Sequence, residues 1–410
     1  MNDAPRHIVF VSSNVTWGGS EELWSEAAIV LAKAGHRVTA YKNRFLSQEA
    51  STARLEEAGC RLVALAKIPF LPWRAYYFIV ALNYLVNFGF QTLHLYFSLR
   101  LRRRPDLVVV SQGGNHDGWL FANVCIRLGL PYVLISQKAT DLYWPIDSRR
   151  ERMRSALMKA RHCFFVSRHN LKLTEEQFAM RLDHATIVRN PFKVSWEYRG
   201  DWPGTDLGFR FACIGRLYPM EKGQDLLIRV LAREKWRGRP VSLTIHGVGE
   251  QSRGLAEMAE LLGLDNVRFA GFTSDVEGVW AHHHALVLPS RAEGLPLVLV
   301  EAMLCARVAI VTDVAGNREV VEDNVTGFLA TSPTEDALDE AMERAWQRRS
   351  EWQSIGESAN RSIRASVPAD PARALADALV EIVNGEPPVR GLVPAAAEAS
   401  PMPVEAAQAG

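Results

Sequence analysis

Short apolar runs, separated by helix-length stretches, set the strongest limit on how this chain can fold. One series is Ile8–Ser12, Arg37–Ala40, Leu107–Val110, Tyr132–Ile135 and Cys163–Val166. A second is Phe209–Ile214, Val241–Ile245, Val267–Ala270, Ala285–Leu288 and Val308–Val311. The runs are four to six residues long and rich in β-branched or aromatic side chains. Such runs suit strands buried on both faces, and their spacing leaves room for crossover helices, so parallel sheets are predicted. Two series in 410 residues predict two doubly wound α/β domains. Trp202-Pro-Gly-Thr-Asp-Leu-Gly208 is crowded with turn formers, which places the break near Ser195–Gly208. The predicted division is residues 1–195, residues 205–365, a C-terminal helix over 366–385, and a disordered Pro/Ala-rich tail over 386–410.

A formal net charge of +1 argues against a general polyanion binder, so no nucleic-acid partner is expected. The five cysteines (Cys60, Cys125, Cys163, Cys213 and Cys305) have no short spacing, which suits a reducing cytosol rather than a disulfide or zinc framework. The apolar run after Met1–His7 is too short for a signal peptide, and a cytoplasmic protein is predicted. Ala75–Leu99 contains no Asp, Glu, Lys or Arg, but Asn83, Asn87, Gln91, His94 and Ser98 recur as one polar stripe. That pattern predicts an amphipathic helix rather than a membrane span. Its apolar face has two uses open to it, packing on the first sheet or meeting a membrane. The following Arg100-Leu-Arg-Arg-Arg104 suits anionic headgroups at the inner face of the cell membrane.

Strand ends carry the candidate chemistry. After the first strand, Gly18-Gly19 stands at a strand-to-helix turn, where backbone can approach a ligand and helix N–H groups favour an anion. A dinucleotide site is disfavoured, because GxGxxG is absent and the second run ends in Ala40-Tyr-Lys-Asn43 without an acid for the ribose. After Phe209–Ile214 come Arg216 and Lys222, cations able to neutralise a diphosphate. Glu293 and Glu301 bracket seven residues, with Pro296 expected in the first turn of the intervening helix. Carboxylates accept paired hydrogen bonds from vicinal diols, and Glu301 is set in the apolar Leu297-Val-Leu-Val-Glu-Ala-Met-Leu304, where an unpartnered charge is costly. Cations and carboxylates in one domain suit a ligand bearing both phosphates and hydroxyls, such as a nucleotide sugar. His282-His-His284 sits at the end of a helix, and no metal site is assigned to it.

Together these residues resemble the retaining glycosyltransferases of family 4, which have the GT-B fold, two doubly wound Rossmann-like domains facing a cleft; the resemblance implies that the C-terminal helix returns to the first domain. Glu293 to Glu301 is similar to that family's E-x7-E motif, with Pro289 to Pro296 as its lead-in, and Gly215-Arg216 with Glu221-Lys222-Gly223 is similar to its phosphate motif. Gly18-Gly19-Ser20-Glu21, His246-Gly-Val-Gly249, Gly316-Asn-Arg-Glu319 and Asn324-Val-Thr-Gly327-Phe328 resemble its other loops. The resemblance implies a metal-independent enzyme without a cofactor, using a nucleoside-diphosphate sugar as donor and a glycan or lipid-linked glycan as acceptor. Arg216 and Lys222 would hold the diphosphate, Glu301 the ribose and Glu293 the donor sugar. Gly294 and Leu295 would line the donor site, and Gly18 and Gly19 would lie beside phosphate or acceptor. Ser111 stands where the family often has a histidine, and His116, five residues on, is the candidate for that sugar contact. Ala306-Arg-Val308 replaces a usual Gly-x-Pro. A silent binding protein of this fold, and a related sugar-nucleotide epimerase or hydrolase, are the competing readings.

Overall fold

The computed structural model describes residues 4–46, 50–66, 89–198, 200–386 and 392. The chain forms two α/β units, one running to Pro191 and resuming over Asp370–Leu392, the other covering Phe192–Ala369. Every named strand pair in both is parallel.

The first unit has seven strands: β1 (His7–Ser12), β2 (Arg37–Lys42), β3 (Arg61–Ala64), β4 (Leu107–Gln112), β5 (Tyr132–Ser136), β6 (His162–Phe165) and β7 (Ala185–Ile187). Their order is β3-β2-β1-β4-β5-β6-β7. Ile8 aligns with Val38 on one side and Leu107 on the other. Successive side chains of β1 enter opposite cores: Ile8 and Phe10 pack with Trp24, while Val9 and Val11 pack with Phe121 and Val124. The helix Pro371–Asn384 buries Leu375, Leu379 and Ile382 in the Trp24 core and covers the helix Gly19–Lys33.

The second unit has six strands: β8 (Phe209–Ile214), β9 (Val241–His246), β10 (Val267–Gly271), β11 (Ala285–Leu288), β12 (Val308–Thr312) and β13 (Phe328–Ala330). Their order is β10-β9-β8-β11-β12-β13. One face packs on Trp236 and Trp352, the other on Trp280, Leu299 and Met303. The units part at Pro191 and Phe192, ahead of the turn-rich Trp202–Gly208 segment. The reason is apolar: Val194 is buried in the second unit's core, with Phe192, Trp196 and Tyr198 packed against it.

Three strands went unseen in the sequence: β3, β7 and β13, of three or four residues each. They lie at sheet edges, where one neighbour suffices and a long apolar run is not needed. Beyond Lys222 the chain forms two short helices, Gln224–Leu231 and Glu234–Arg237.

The predicted Ala75–Leu99 helix lies partly outside the described residues, as does the predicted tail over 386–410. Its described part is the helix Phe90–Leu101, and there the polar stripe turns inward. Ser98 bonds the Tyr41 hydroxyl at 2.8 Å, His94 reaches the Leu65 carbonyl at 3.1 Å, and Gln91 donates to Asn43 at 3.1 Å. Leu95 and Leu99 are buried beside them, whereas Leu93, Phe97 and Leu101 face solvent. No helix among the described residues is long and apolar enough to cross a membrane.

A buried ion pair anchors the first unit. Lys42, at the end of β2, donates to Glu21 at 2.6 Å, and the two side chains are 1% and 0% exposed. Ser12 and Asn14 donate to the same carboxylate, while Lys42 also donates to the carbonyls of Asn14 and Thr16. Removing one member leaves the other charge buried without a partner. Lys42→Met is expected to lower stability by roughly 3–5 kcal/mol in denaturant unfolding, and Glu21→Gln in the same chain to recover part of that loss.

Candidate functional site

In an open parallel sheet, crossovers leave for opposite faces at the point where the strand order reverses, and a crevice opens beyond the carboxyl ends there. In the second unit that point lies between β8 and β11. The loop after β8 carries Arg216 and the one-turn helix Pro219–Lys222, and the loop after β11 carries Ser290 to Glu293. The structure brings the two loops together through the predicted residues: Lys222 Nζ donates to Glu293 Oε1 at 2.6 Å. Their side chains are 21% and 7% exposed, so the pair sits in a recess with its lysine end open. Ser290 donates to the same carboxylate oxygen at 2.7 Å, and Thr312 holds the Ser290 carbonyl at 2.6 Å. Glu293 is therefore oriented from beneath by residues at the ends of β11 and β12.

Arg216 is more open. It donates to Glu221 at 3.0 Å and lies 5.3 Å from the Tyr218 ring centroid. Glu301 is buried inside the helix Leu297–Leu304, where its Oε1 accepts the Lys193 N–H at 2.9 Å. Pro296 caps that helix rather than opening its first turn. Gly294 accepts the Gly316 N–H at 2.8 Å, which draws the loop after β12 over it. The Leu295 side chain is buried in the core, so only its backbone is left for a ligand.

Sequence reasoning missed what holds these loops. Arg291 forks onto Asp225, with bonds of 2.6 and 2.9 Å, and also donates to the Pro219 carbonyl at 2.7 Å. Burial raises the Asp225 pKa, but the hydrogen bonds and charge of Arg291 outweigh it and leave the carboxyl below its ordinary value. The backbone N–H groups of Arg291 and Ala292 both reach the Glu221 carbonyl. Gly223 has φ +65°, and a Cβ there would stand 1.9 Å from the Pro289 carbonyl oxygen. Gly247 and Gly249 stand as close to the Gly215 and Leu217 carbonyls. The glycines were legible; the partner each one approaches was not.

In the first unit the order reverses between β1 and β4. Gly18 and Gly19 are exposed at the start of the helix Gly19–Lys33, in the loop that Glu21 and Lys42 hold from below. His116 lies in the loop after β4, with Nδ1 3.3 Å from Asn115 Oδ1, and lines a cavity of about 360 Å³. Asp117 beside it is turned inward, accepting from Ser13 and from the Gly113 and Gly114 N–H groups, and burial raises its pKa.

Among the described residues, no group of three or more His, Cys, Asp or Glu side chains has an arrangement suited to a metal ion. Two members of the histidine run have structural partners. His283 bonds the Val279 carbonyl at 2.7 Å. His284 accepts the Arg210 N–H on Nδ1 at 3.0 Å and bonds the Pro203 carbonyl through Nε2 at 3.1 Å.

Residues 208–348 match the family model of glycosyl transferases group 1. The chain is 23% identical over 290 residues to the glycogen synthase of Pseudomonas fluorescens, taking in 62% of this chain and 58% of that protein. It is 28% identical over 250 residues to an uncharacterized glycosyltransferase of Methanocaldococcus jannaschii, taking in 53% of this chain and 58% of that protein. The chain thus spans 58% of the length of each of these two relatives. Among solved structures, Anabaena HepE in complex with UDP and glucose superposes with a TM-score of 0.70 at 20% identity, covering 92% of this chain and 99% of that one. Sucrose-phosphate synthase of Thermosynechococcus elongatus gives 0.67 at 16% identity, covering 93% and 98%. The fold is that of the GT-B glycosyltransferases, two Rossmann-like parallel-sheet domains.

Two expectations follow. Gly223→Ala adds left-handed strain to a backbone clash, and is expected to cost at least ~2 kcal/mol in urea unfolding. Burial, then the nearby Arg210 charge, pushes His284 from 6.5 down to about 4. Its unfolded form therefore takes up a proton first, so stability is unaffected above the unfolded value and falls as pH drops from 6.5 toward 4. The unfolding free energy of His284→Gln in urea is expected to fall less steeply over that window, by up to about 1.4 kcal/mol per pH unit.

Proposed function

We propose that this chain is a retaining, metal-independent glycosyltransferase that moves a sugar from a nucleoside-diphosphate sugar to a glycan or lipid-linked glycan. The observation that carries the reading is the Lys222–Glu293 pair across the β8/β11 reversal, with Arg216 in the loop after β8 and Glu301 in the helix that follows the loop after β11. A diphosphate entering there competes with the Glu293 carboxylate for the Lys222 ammonium. The exchange releases Glu293, still held by Ser290, to accept hydroxyl protons of the donor sugar. Arg216 shares the phosphate charge, and Glu301 accepts the ribose hydroxyls.

In the transfer step the bond from the sugar's anomeric carbon to the β-phosphate oxygen breaks. The acceptor oxygen bonds that carbon on the same face, and its proton passes to the departing phosphate. Negative charge grows on the phosphate, where fixed cations stabilise it most. Gly294 and the Leu295 backbone border the donor, and Gly18, Gly19 and His116 of the first unit are assigned to substrate binding. The crystal structures of Anabaena HepE in complex with UDP and glucose, and of the same protein with UDP-glucose, make UDP-sugars the first donors to test.

We assign the work to cell-surface polysaccharide or glycolipid synthesis in the cytoplasm. The phosphatidylinositol N-acetylglucosaminyltransferase gpi3 subunit of Schizosaccharomyces pombe, 36% identical over 132 residues, supports a lipid-linked acceptor; the match covers 32% of this chain and 28% of that one. Exposed Leu93, Phe97 and Leu101 beside Arg100, Arg102 and Arg103 support a peripheral contact with anionic membrane.

Thermal unfolding with UDP, GDP and ADP tests the donor site. At ~100 times its Kd the correct nucleotide adds about 2.7 kcal/mol. That raises Tm by roughly 2–4 °C, and Lys222→Ala removes most of the shift. Glu293→Gln is expected to keep the fold but lower transfer by about 10²-fold or more. An unchanged transfer rate in Glu293→Gln overturns its role. UDP release without acceptor favours the epimerase or hydrolase reading, and no nucleotide shift at all favours a silent binding protein.

A further inference from the structure

The first unit's cavity has a chemistry of its own. It opens beyond the carboxyl ends of β4 and β5, and its volume of about 360 Å³ falls in the range that holds a small ligand. Trp119 comes from the helix Trp119–Leu128, Met153 from the helix Asp147–Lys159, and Trp144 and Ile146 from the loop after β5. Trp144 is 59% and Ile146 55% exposed, and Leu142 and Tyr143 beside them also face solvent. Soluble surfaces normally leave large apolar residues exposed singly, so several on one short loop at a cavity mouth mark a binding surface. The polar members are Arg149, His116 and Asp117. Arg149 and His116 line the cavity, while the Asp117 oxygens are occupied by Ser13 and two backbone N–H groups inside the loop. The His116 ring lies 6.2 Å from that of Tyr143, so the loops after β4 and β5 meet at the polar end.

An apolar mouth beside a guanidinium and an imidazole matches an anionic amphiphile. We infer that this cavity binds an alkyl or polyprenyl phosphate, with the chain against Trp144, Ile146 and Met153 and the phosphate on Arg149 and His116. Naming that ligand as the acceptor of sugar transfer rests on the function proposed above; the binding itself does not.

Calorimetric titration of the full chain with monomeric hexyl, octyl and decyl phosphates reads the binding directly. Each buried methylene is expected to tighten binding by up to about fourfold. Decanol and inorganic phosphate, each offering half of the ligand, are expected to bind at least about tenfold more weakly than decyl phosphate. Arg149→Gln is expected to weaken decyl phosphate about tenfold while leaving decanol unchanged, and Trp144→Ser to flatten the dependence on chain length. Wild-type melting midpoints show that both variants are folded. Equal binding of decanol and decyl phosphate overturns the proposal, as does an Arg149→Gln variant that binds like the wild type. Binding only to vesicles of phosphatidylcholine and phosphatidylglycerol in equal parts, with none to monomeric alkyl phosphate, also overturns it in favour of a membrane-docking surface. No sugar nucleotide enters the experiment, so its outcome is independent of the UDP-binding test.

Discussion

The site in the second unit depends on a fork of two hydrogen bonds, from Arg291 after β11 to Asp225 after β8. β8 and β11 are neighbours in the sheet, but their crossovers diverge, so the backbone ladder stops where the crevice begins. Beyond that point only side chains and loop backbone can set the distance between the two loops. The fork does this with a planar, bidentate pair, the geometry in which arginine and carboxylate lose least freedom on pairing. The Glu221 carbonyl, accepting two N–H groups from the facing loop, and Gly223, pressed on Pro289, complete the clamp. Lys222 and Glu293 sit inside it and inherit its rigidity.

The first unit solves the matching problem with charge burial. Glu21 and Lys42 lie under the loop after β1, and lysine donors reach two carbonyls of that loop as well as the carboxylate. Such a pair is a poor source of stability compared with an apolar filling, because desolvating both charges offsets most of their attraction. What it does instead is direct: it fixes the path of Asn14 to Thr16, and hence where the exposed Gly18 and Gly19 emerge. Both units thus hold their strand-end loops with one well-paired ionic contact, buried in the first and partly open in the second.

This explains which parts were legible in the sequence. Nine of the ten strands read from the sequence are central, where parallel strands must be apolar on both faces, and Ile8–Ser12 or Val308–Val311 have no other use for such runs; the tenth, β10, is an edge strand. The edge strands Arg61–Ala64 and Ala185–Ile187 carry no such signature. Arg216, Lys222 and Glu293 drew attention because their charges stand just past predicted strand ends, and Glu301 because its charge interrupts an apolar helix. Their supports did not, since Asp225 and Arg291, or Glu21 and Lys42, are far apart in the chain and each alone looks like a surface charge. The inward turn of Gln91, His94 and Ser98 was hidden for the same reason. A polar stripe faces water only if the protein offers it no partners, and Asn43, Leu65 and Tyr41 do.

The ion pair between Lys222 and Glu293 has a consequence for how a charged ligand enters. A lysine held ready for phosphate with no counter-charge would have to be desolvated alone, which is costly in a recess. Here Glu293 meets that cost during folding, and Ser290 donates to the same carboxylate oxygen. In the function proposed above, a diphosphate would replace one charge-assisted bond with others of the same kind, so little new desolvation would accompany the exchange. The displaced carboxylate would then have an oxygen to share with hydroxyl groups of the donor. Pairing the two residues in the unliganded protein therefore favours a ligand that supplies both an anion for Lys222 and a donor for Glu293 over one that supplies either alone.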